Sequence, residues 1–187
     1  MTMTNAPESL LTTRLRIRRP TVADTEAVFS RYASDPEVCR YMAWPRHARA
    51  DITRRFLEWS DVQWATWPCG PCVIFDRTTG VLLGGTGMVF EAPGVAAAGY
   101  VLARDAWGHG YATEALLAMV EVAKALALER FYAICHIDHR ASQRVLEKAG
   151  FGRESSHGRK VVFPNLSPDP QDVASYVWPV AMAPGAQ

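Results

Sequence analysis

Two glycines flank a histidine at Gly108-His109-Gly110, between an apolar run, Tyr100-Val101-Leu102, and a stretch of helical spacing that starts at Ala112. Strand, glycine loop and helix N-terminus together make an anion site from backbone alone. Glycine takes tight turns and lets a ligand come close to the N–H groups. The first N–H groups of a helix have no intrahelical partner, and the peptide dipoles add partial positive charge there. A pyrophosphate suits such a site. A second candidate chemistry lies in Trp67-Pro68-Cys69-Gly70-Pro71-Cys72, because a Cys-x-x-Cys pair has the spacing of a thiol–disulfide couple. That chemistry wants the pair at a helix N-terminus after a strand. Here it follows a helical segment and precedes the apolar run from Val73 to Phe75, so it reads as a turn with two incidental cysteines. Cys39 and Cys135 offer no metal-ligand spacing to complete a set, and no metal is expected.

The elements that must position the loop follow from the periodicity of the chain. Residues 14–19 alternate and read as a first strand, which also accounts for the cluster Arg14, Arg16, Arg18 and Arg19 as a half-exposed face. Thr21 caps a helix over residues 22–33, with Asp24 and Glu26 in its first turns. A second helix spans 51–64, with Ile52, Phe56 and Trp59 or Val62 at core spacing. Residues 72–76 and 81–90 read as strands joined through Arg77-Thr78-Thr79-Gly80. Gly84, Gly85 and Gly87 in the second of them predict a bulge or a close backbone approach. Residues 99–102 form the strand before the glycine loop. The helix over 112–127 buries Ala112, Leu116, Val120, Ala123 and Ala127, and 131–137 is a strand. A short helix over 141–149 buries Ala141, Val145 and Ala149 and stops at Gly150. Strands over 160–163 and 174–178 close the pattern. This order predicts an α+β fold, a twisted and mostly antiparallel sheet with helices on both faces.

Bulk properties narrow the function. At 187 residues the chain has the size of one domain; residues 1–11 and 183–187 read as frayed ends. With 49% hydrophobic and 21% charged residues it can build a core. A formal net charge of +1, with interspersed charges, leaves no basic face for nucleic acid. No apolar run approaches membrane-spanning length and no secretory signal is visible, so a cytoplasmic protein is expected.

The segment Trp107-Gly108-His109-Gly110-Tyr111-Ala112-Thr113-Glu114-Ala115 resembles the acetyl-CoA pyrophosphate loop of the GNAT superfamily of N-acetyltransferases. More narrowly, it resembles the branch that includes the ribosomal-protein N-terminal acetyltransferases. Ser142-Gln143-Arg144-Val145-Leu146-Glu147-Lys148-Ala149-Gly150-Phe151 resembles that branch's second signature. Thr13-Arg14-Leu15-Arg16-Ile17-Arg18, with Asp24, resembles its opening strand and helix. The similarity runs over about residues 12–176.

The resemblance implies a GNAT fold in which the strand before the loop splays from its neighbour and hydrogen-bonds pantetheine along its open edge. Carried over, the backbone of Leu102 and Ala103 meets pantetheine. A backbone N–H near Val101 or Leu102 receives the acetyl oxygen. Trp107, Gly108, His109, Gly110, Tyr111, Ala112 and Thr113 form the pyrophosphate loop. A primary amine then attacks the thioester directly. The leading acceptor is a peptide or protein N-terminus, with a small amine close behind. This chain also departs from the pattern. Asp105 stands where the loop often opens with Gln or Arg, and Ala96-Ala97-Ala98 lacks the glutamate that relatives often place there. The general base is thus left to Glu91, Asp138, His136, His139 or a water chain. Leu146 occupies the place of a tyrosine acid found outside this branch, so Ser142, the branch's serine, becomes the expected thiolate-protonating group. His139 replaces the usual asparagine as a cofactor contact. Trp44, Trp64, Trp67, Tyr41 and Phe90 are candidate acceptor-pocket residues. The alternatives from other classes are a non-catalytic acyl-CoA-binding or regulatory module, favoured by the missing glutamate, and a thiol-redox protein built on Cys69 and Cys72.

Overall fold

The computed structural model describes residues 5–179, and among them are nine strands and five α-helices. The strands are β1 (Ser9–Leu11), β2 (Leu15–Arg18), β3 (Pro71–Asp76), β4 (Leu82–Ala92), β5 (Val95–Leu102), β6 (Arg130–His136), β7 (Gly152–Glu154), β8 (Lys160–Val162) and β9 (Pro170–Trp178). The helices are α1 (Thr25–Val28), α2 (Pro36–Cys39), α3 (Ala50–Thr66), α4 (Tyr111–Ala125) and α5 (Arg140–Lys148). The sheet runs β1-β2-β3-β4-β5-β6-β9-β7, with β8 paired to the start of β9. Every neighbouring pair is antiparallel except β5 with β6, whose parallel run requires the α4 crossover. Helices α4 and α5 pack on one face, against β4, β5 and β6; α1 and α3 pack on the other, against β3 and β4. Alternate residues of β5 feed the two cores. Leu102 joins Leu116, Met119 and Tyr176, while Val101 packs with Val28 and Tyr32.

The first helical segment is three conformations in sequence: a 3-10 turn (Val22–Asp24), α1, and a π turn (Phe29–Ala33). Asp24 anchors its start. Its carboxylate accepts two bonds from the Arg18 guanidinium, at 2.9 and 2.7 Å, and one from the Thr21 amide at 2.8 Å. Pro36 opens α2 as its first residue, and the Asp35 side chain caps it.

Three expectations are corrected, and one strand is added. The segment read as a frayed N-terminus contains β1, paired with β2 from Ser9↔Arg18 to Leu11↔Arg16, and Ala6 is buried. In α3 the buried face is Thr53, Leu57, Ser60 and Trp64, whereas Trp59 and Val62 are exposed. The pattern misled because Thr53 and Ser60 count as polar; Thr53 is held by a 2.8 Å bond between its Oγ1 and Nδ1 of the buried His47. In α5 the buried residues are Ser142, Gln143 and Leu146, followed by Ala149, and Ala141 is exposed. Gln143 is buried because its amide donates to the Ile137 carbonyl at 2.6 Å. Strand β7 went unread: it is three residues long and carries no alternation. The expected frayed end at 183–187 lies outside the described residues.

The anticipated close approach at the β4 glycines is present. A Cβ on Gly84 would lie 2.1 Å from the Val101 carbonyl oxygen and 2.9 Å from the Leu102 Cα. At Gly87, with φ of +147°, it would lie 2.6 Å from the Gly70 oxygen. Strands β4 and β5 are pressed together at Gly84 and Leu102, in the stretch of β5 that no longer pairs with β6.

Candidate active site

Strands β5 and β6 pair only over Val95↔Arg130, Ala96↔Phe131 and Ala97↔Tyr132. From Ala98 onward the two diverge, and a chamber of about 510 Å³ opens between them. Ala98, Gly99, Tyr100 and Val101 form one wall, and Ala133, Ile134 and Cys135 form the opposite one. The direction of the β5 backbone follows from its pairing with β4. The Ala103 amide donates to the Leu83 carbonyl at 2.8 Å, so Ala103 is in a hydrogen-bonded pair. Antiparallel pairs alternate, and the register continues as Leu102↔Gly84, Val101↔Gly85 and Tyr100↔Thr86. Val101 and Ala103 therefore spend their amides on β4, and Tyr100 and Leu102 turn theirs toward the opening. Of the anticipated donors, only Leu102 has its N–H on the open edge. Its carbonyl is taken by the Trp107 indole N–H at 2.9 Å, and the Ala103 carbonyl by the Ala106 amide at 2.9 Å.

The glycine loop follows at the end of β5, after a 3-10 turn (Arg104–Ala106). Gly108 and Gly110 both take the left-handed conformation, with φ of +78° and +79°, and Gly110 is the N-cap of α4. The amides of Tyr111, Ala112 and Thr113 have no residue four earlier inside the helix to bond to. Arg14 orients the loop from β2's side. Its Nη1 donates to the His109 carbonyl at 2.8 Å, which turns the following Gly110 N–H the opposite way in the same planar peptide. Its Nε pairs with Glu114 at 2.7 Å, and the other Glu114 oxygen accepts from the Thr12 hydroxyl at 2.6 Å and the Arg14 amide at 2.9 Å. Glu114 thus ties α4 to the β1–β2 turn rather than capping its own helix. Asp105 is neutralised by Arg31 through two bonds of 2.9 and 2.8 Å. Arg31 sits in the π turn, so this pair staples the loop to the opposite face.

Ser142, in the first turn of α5, faces the chamber together with His139 and Leu146. Its hydroxyl lies 2.7 Å from the Tyr100 hydroxyl, which is also 3.1 Å from the Ser142 carbonyl oxygen. Burial raises the Tyr100 phenol above its ordinary pKa despite the serine bond. Tyr100 is a chamber tyrosine that sequence reading did not single out. It enters from β5 and not from the α5 position that Leu146 fills, and only the pairing of distant elements reveals it. The His139 ring stacks on Tyr41, with centroids 4.5 Å apart, and burial, aided by His136, lowers its pKa to about 4. It is a neutral imidazole at physiological pH.

The other base candidates stand apart. Glu91, near the end of β4, accepts from the Tyr132 hydroxyl and lies 3.7 Å from Arg159; it does not line the chamber. Asp138 is likewise outside it. His136 is buried between Tyr41 and Phe163 and does not line the chamber. Of the aromatic candidates, Tyr41 and Trp44 line the chamber. Trp64 is bonded to the Pro71 carbonyl at 2.7 Å, and Trp67 stacks on Phe90, so these three belong to the core. His47, Phe56, Trp59 and Phe163 line the chamber and were not foreseen. Cys69 and Cys72 are buried free thiols. Cys72 has a raised pKa, from the Cys69 contact and from burial, which is the reverse of a redox nucleophile.

Known proteins place this arrangement. Residues 14–152 match the family described as Acetyltransferase (GNAT) domain. An uncharacterized protein, YkkB, from Bacillus subtilis (strain 168) is 31% identical over 150 residues, covering 78% of this chain and 86% of that protein. A GNAT-family acetyltransferase from Bacillus anthracis superposes with a TM-score of 0.78 at 25% identity, over 90% of this chain and 96% of that one. The ribosomal L7/L12 α-N-protein acetyltransferase RimL, solved in complex with coenzyme A, superposes with a TM-score of 0.76 at 20% identity, over 90% and 95%. With the splayed strand pair, the glycine loop at the α4 N-terminus and the matched domain in agreement, this chain belongs to the GNAT family and is an acetyltransferase.

Proposed function

We propose that the protein transfers acetyl from acetyl-CoA to a primary amine by direct attack, with a peptide or protein N-terminus as the leading acceptor. The observation that carries this reading is the open edge of β5, which runs from the glycine loop into a chamber that also holds Ser142 and Tyr100. In this reading Gly108, His109, Gly110, Tyr111, Ala112 and Thr113 bind the pyrophosphate through their amides, with Arg14 fixing the loop. Pantetheine lies along β5 as an added strand and meets the Leu102 amide. The acetyl oxygen accepts from the Tyr100 amide, the outward donor in the chamber wall, which stabilises the negative charge of the tetrahedral intermediate.

The amine enters neutral and forms the new C–N bond. As the C–S bond breaks, the departing thiolate takes a proton from the Ser142 hydroxyl, which the Tyr100 hydroxyl supports. The ammonium proton leaves by water past His139 and a proton returns from water to the Ser142–Tyr100 hydroxyl pair, so that N-acetylated amine and free coenzyme A thiol are the products and the pair is restored. With a pKa near 4, His139 is too weak a base to hold that proton, and its part is to contact the donor. Most of the rate then comes from positioning and from the backbone donor. The test is thiol release from acetyl-CoA in the presence of peptides and small primary amines. Saturable acetyl-CoA binding with no amine-dependent thiol release overturns the reading.

A further inference from the structure

The acceptor half of the chamber has a chemistry that selects among amines. Four rings stand in an unbroken row along one side: Trp44 to His47 at 5.2 Å, His47 to Phe56 at 6.5 Å, and Phe56 to Trp59 at 5.8 Å between centroids. Phe163, Tyr41 and His139 also line the chamber, and His136, buried outside the lining, links them: Phe163 to His136, His136 to Tyr41 and Tyr41 to His139 stand at 5.0, 5.1 and 4.5 Å. Among the described residues no Asp, Glu, Lys or Arg lines the chamber. Its two histidines are both kept neutral, His47 and His139 each having a pKa lowered by burial. Its cysteines, Cys72 and Cys135, have raised pKa values and stay thiols.

A chamber of this kind discriminates in three ways. A polyamine carries cationic groups beyond the reacting one and loses their hydration with no carboxylate to pair them. A free amino acid brings a carboxylate that finds no Lys or Arg. The third constraint is the acceptor's own proton. With no carboxylate to receive it, the amine must arrive neutral. At pH 7.5 roughly a third of a peptide α-amine is neutral, against about 0.1% of a lysine ε-amine, from their ordinary pKa values. The aromatic row in turn rewards a large apolar group beside that amine.

We propose that the preferred acceptor is the α-amino group of a peptide or amide whose first residue carries an aromatic or large apolar side chain, seated against Trp44, Phe56 and Trp59. This deepens the acetyltransferase reading above and rests on it.

The experiment measures kcat/KM at saturating acetyl-CoA for phenylalaninamide, alaninamide, free phenylalanine, Nα-acetyl-lysinamide and spermidine. Phenylalaninamide should exceed alaninamide by roughly ten- to a hundredfold, the gain from burying an aromatic side chain, and should exceed the remaining three as well. The Phe56→Ala and Trp59→Ala variants should lower the phenylalaninamide-to-alaninamide ratio; Trp59 is an exposed position, so its variant keeps the test open if Phe56→Ala fails to fold. Turnover that is best with spermidine, the lysine ε-amine or free phenylalanine, or a ratio near one in the parent protein, overturns this inference and leaves acetyl transfer standing. No thiol release with any amine overturns both.

Discussion

Substituting Gly84 by alanine tests whether the geometry of β5 governs the chemistry. The added Cβ would sit 2.1 Å from the Val101 carbonyl oxygen and 2.9 Å from the Leu102 Cα. An ordinary carbon–oxygen approach is about 3.3 Å, so β5 must retreat from β4 by about 1 Å at the residues that turn their amides toward the donor. Overpacking of this kind costs about 1–3 kcal/mol, which in a domain of this size lowers Tm by about 2–12 °C. The kinetic cost is larger, because a displacement of about 1 Å at a positioning element costs on the order of a hundredfold in rate. Gly152→Ala serves as the control: it also lies in a strand, and its added Cβ would have only the Val177 oxygen nearby, at 3.9 Å. The assays are a thermal melt and kcat by thiol release for both variants. A Gly84→Ala protein with unchanged Tm and kcat would falsify the claim that the β4–β5 contact sets the donor geometry.

Three further expectations follow from other parts of the site. Ser142→Ala and Tyr100→Phe should each lower kcat by roughly ten- to a thousandfold with little change in acetyl-CoA affinity, and the double variant should be no slower than the worse single one, since the two hydroxyls act as one unit; multiplying effects would separate them. Acetyl-CoA at about a hundred times its Kd should stabilise the protein by roughly 2.7 kcal/mol, and Gly110→Val should abolish that shift by forcing a β-branched residue to a φ of +79° in the loop; a shift that persists refutes the loop assignment. Asp24 is held below its ordinary pKa because the Arg18 guanidinium and the Thr21 groups outweigh its burial. The stability it contributes is therefore present above about pH 4 and is lost as the pH falls through its lowered folded value. Asp24→Asn should flatten that acid limb of a Tm-versus-pH curve, and an unchanged limb would assign it to other carboxylates.

The donor side of the site was legible in the sequence because it is local. A strand, two glycines and a helix N-terminus within about a dozen residues specify an anion-binding loop through backbone geometry, whatever packs around it. Helix positions were legible for the same reason, since periodicity is a local property. Which face each helix buries was less so. Thr53 in α3, and Ser142 and Gln143 in α5, are polar residues that partners from other segments hold inward. Hydrophobic spacing cannot announce a buried serine or threonine whose hydrogen bond is supplied from another segment.

By itself, the sequence determined the family, the order of the longer elements, the glycine loop and Ser142 as a candidate. Only the tertiary structure decided which β5 amides face the donor, because that depends on a hydrogen-bond parity fixed by pairing with β4. It alone joined Tyr100 to Ser142 across 42 residues, moved Glu91 to a partner outside the chamber, and aligned Trp44, His47, Phe56 and Trp59 into one wall. The physical reason is common to all of these. Backbone preferences act within a few residues, whereas a catalytic pair or a binding wall is made when burial and strand register bring separate segments to the same place, and no residue type or spacing along the chain records that meeting.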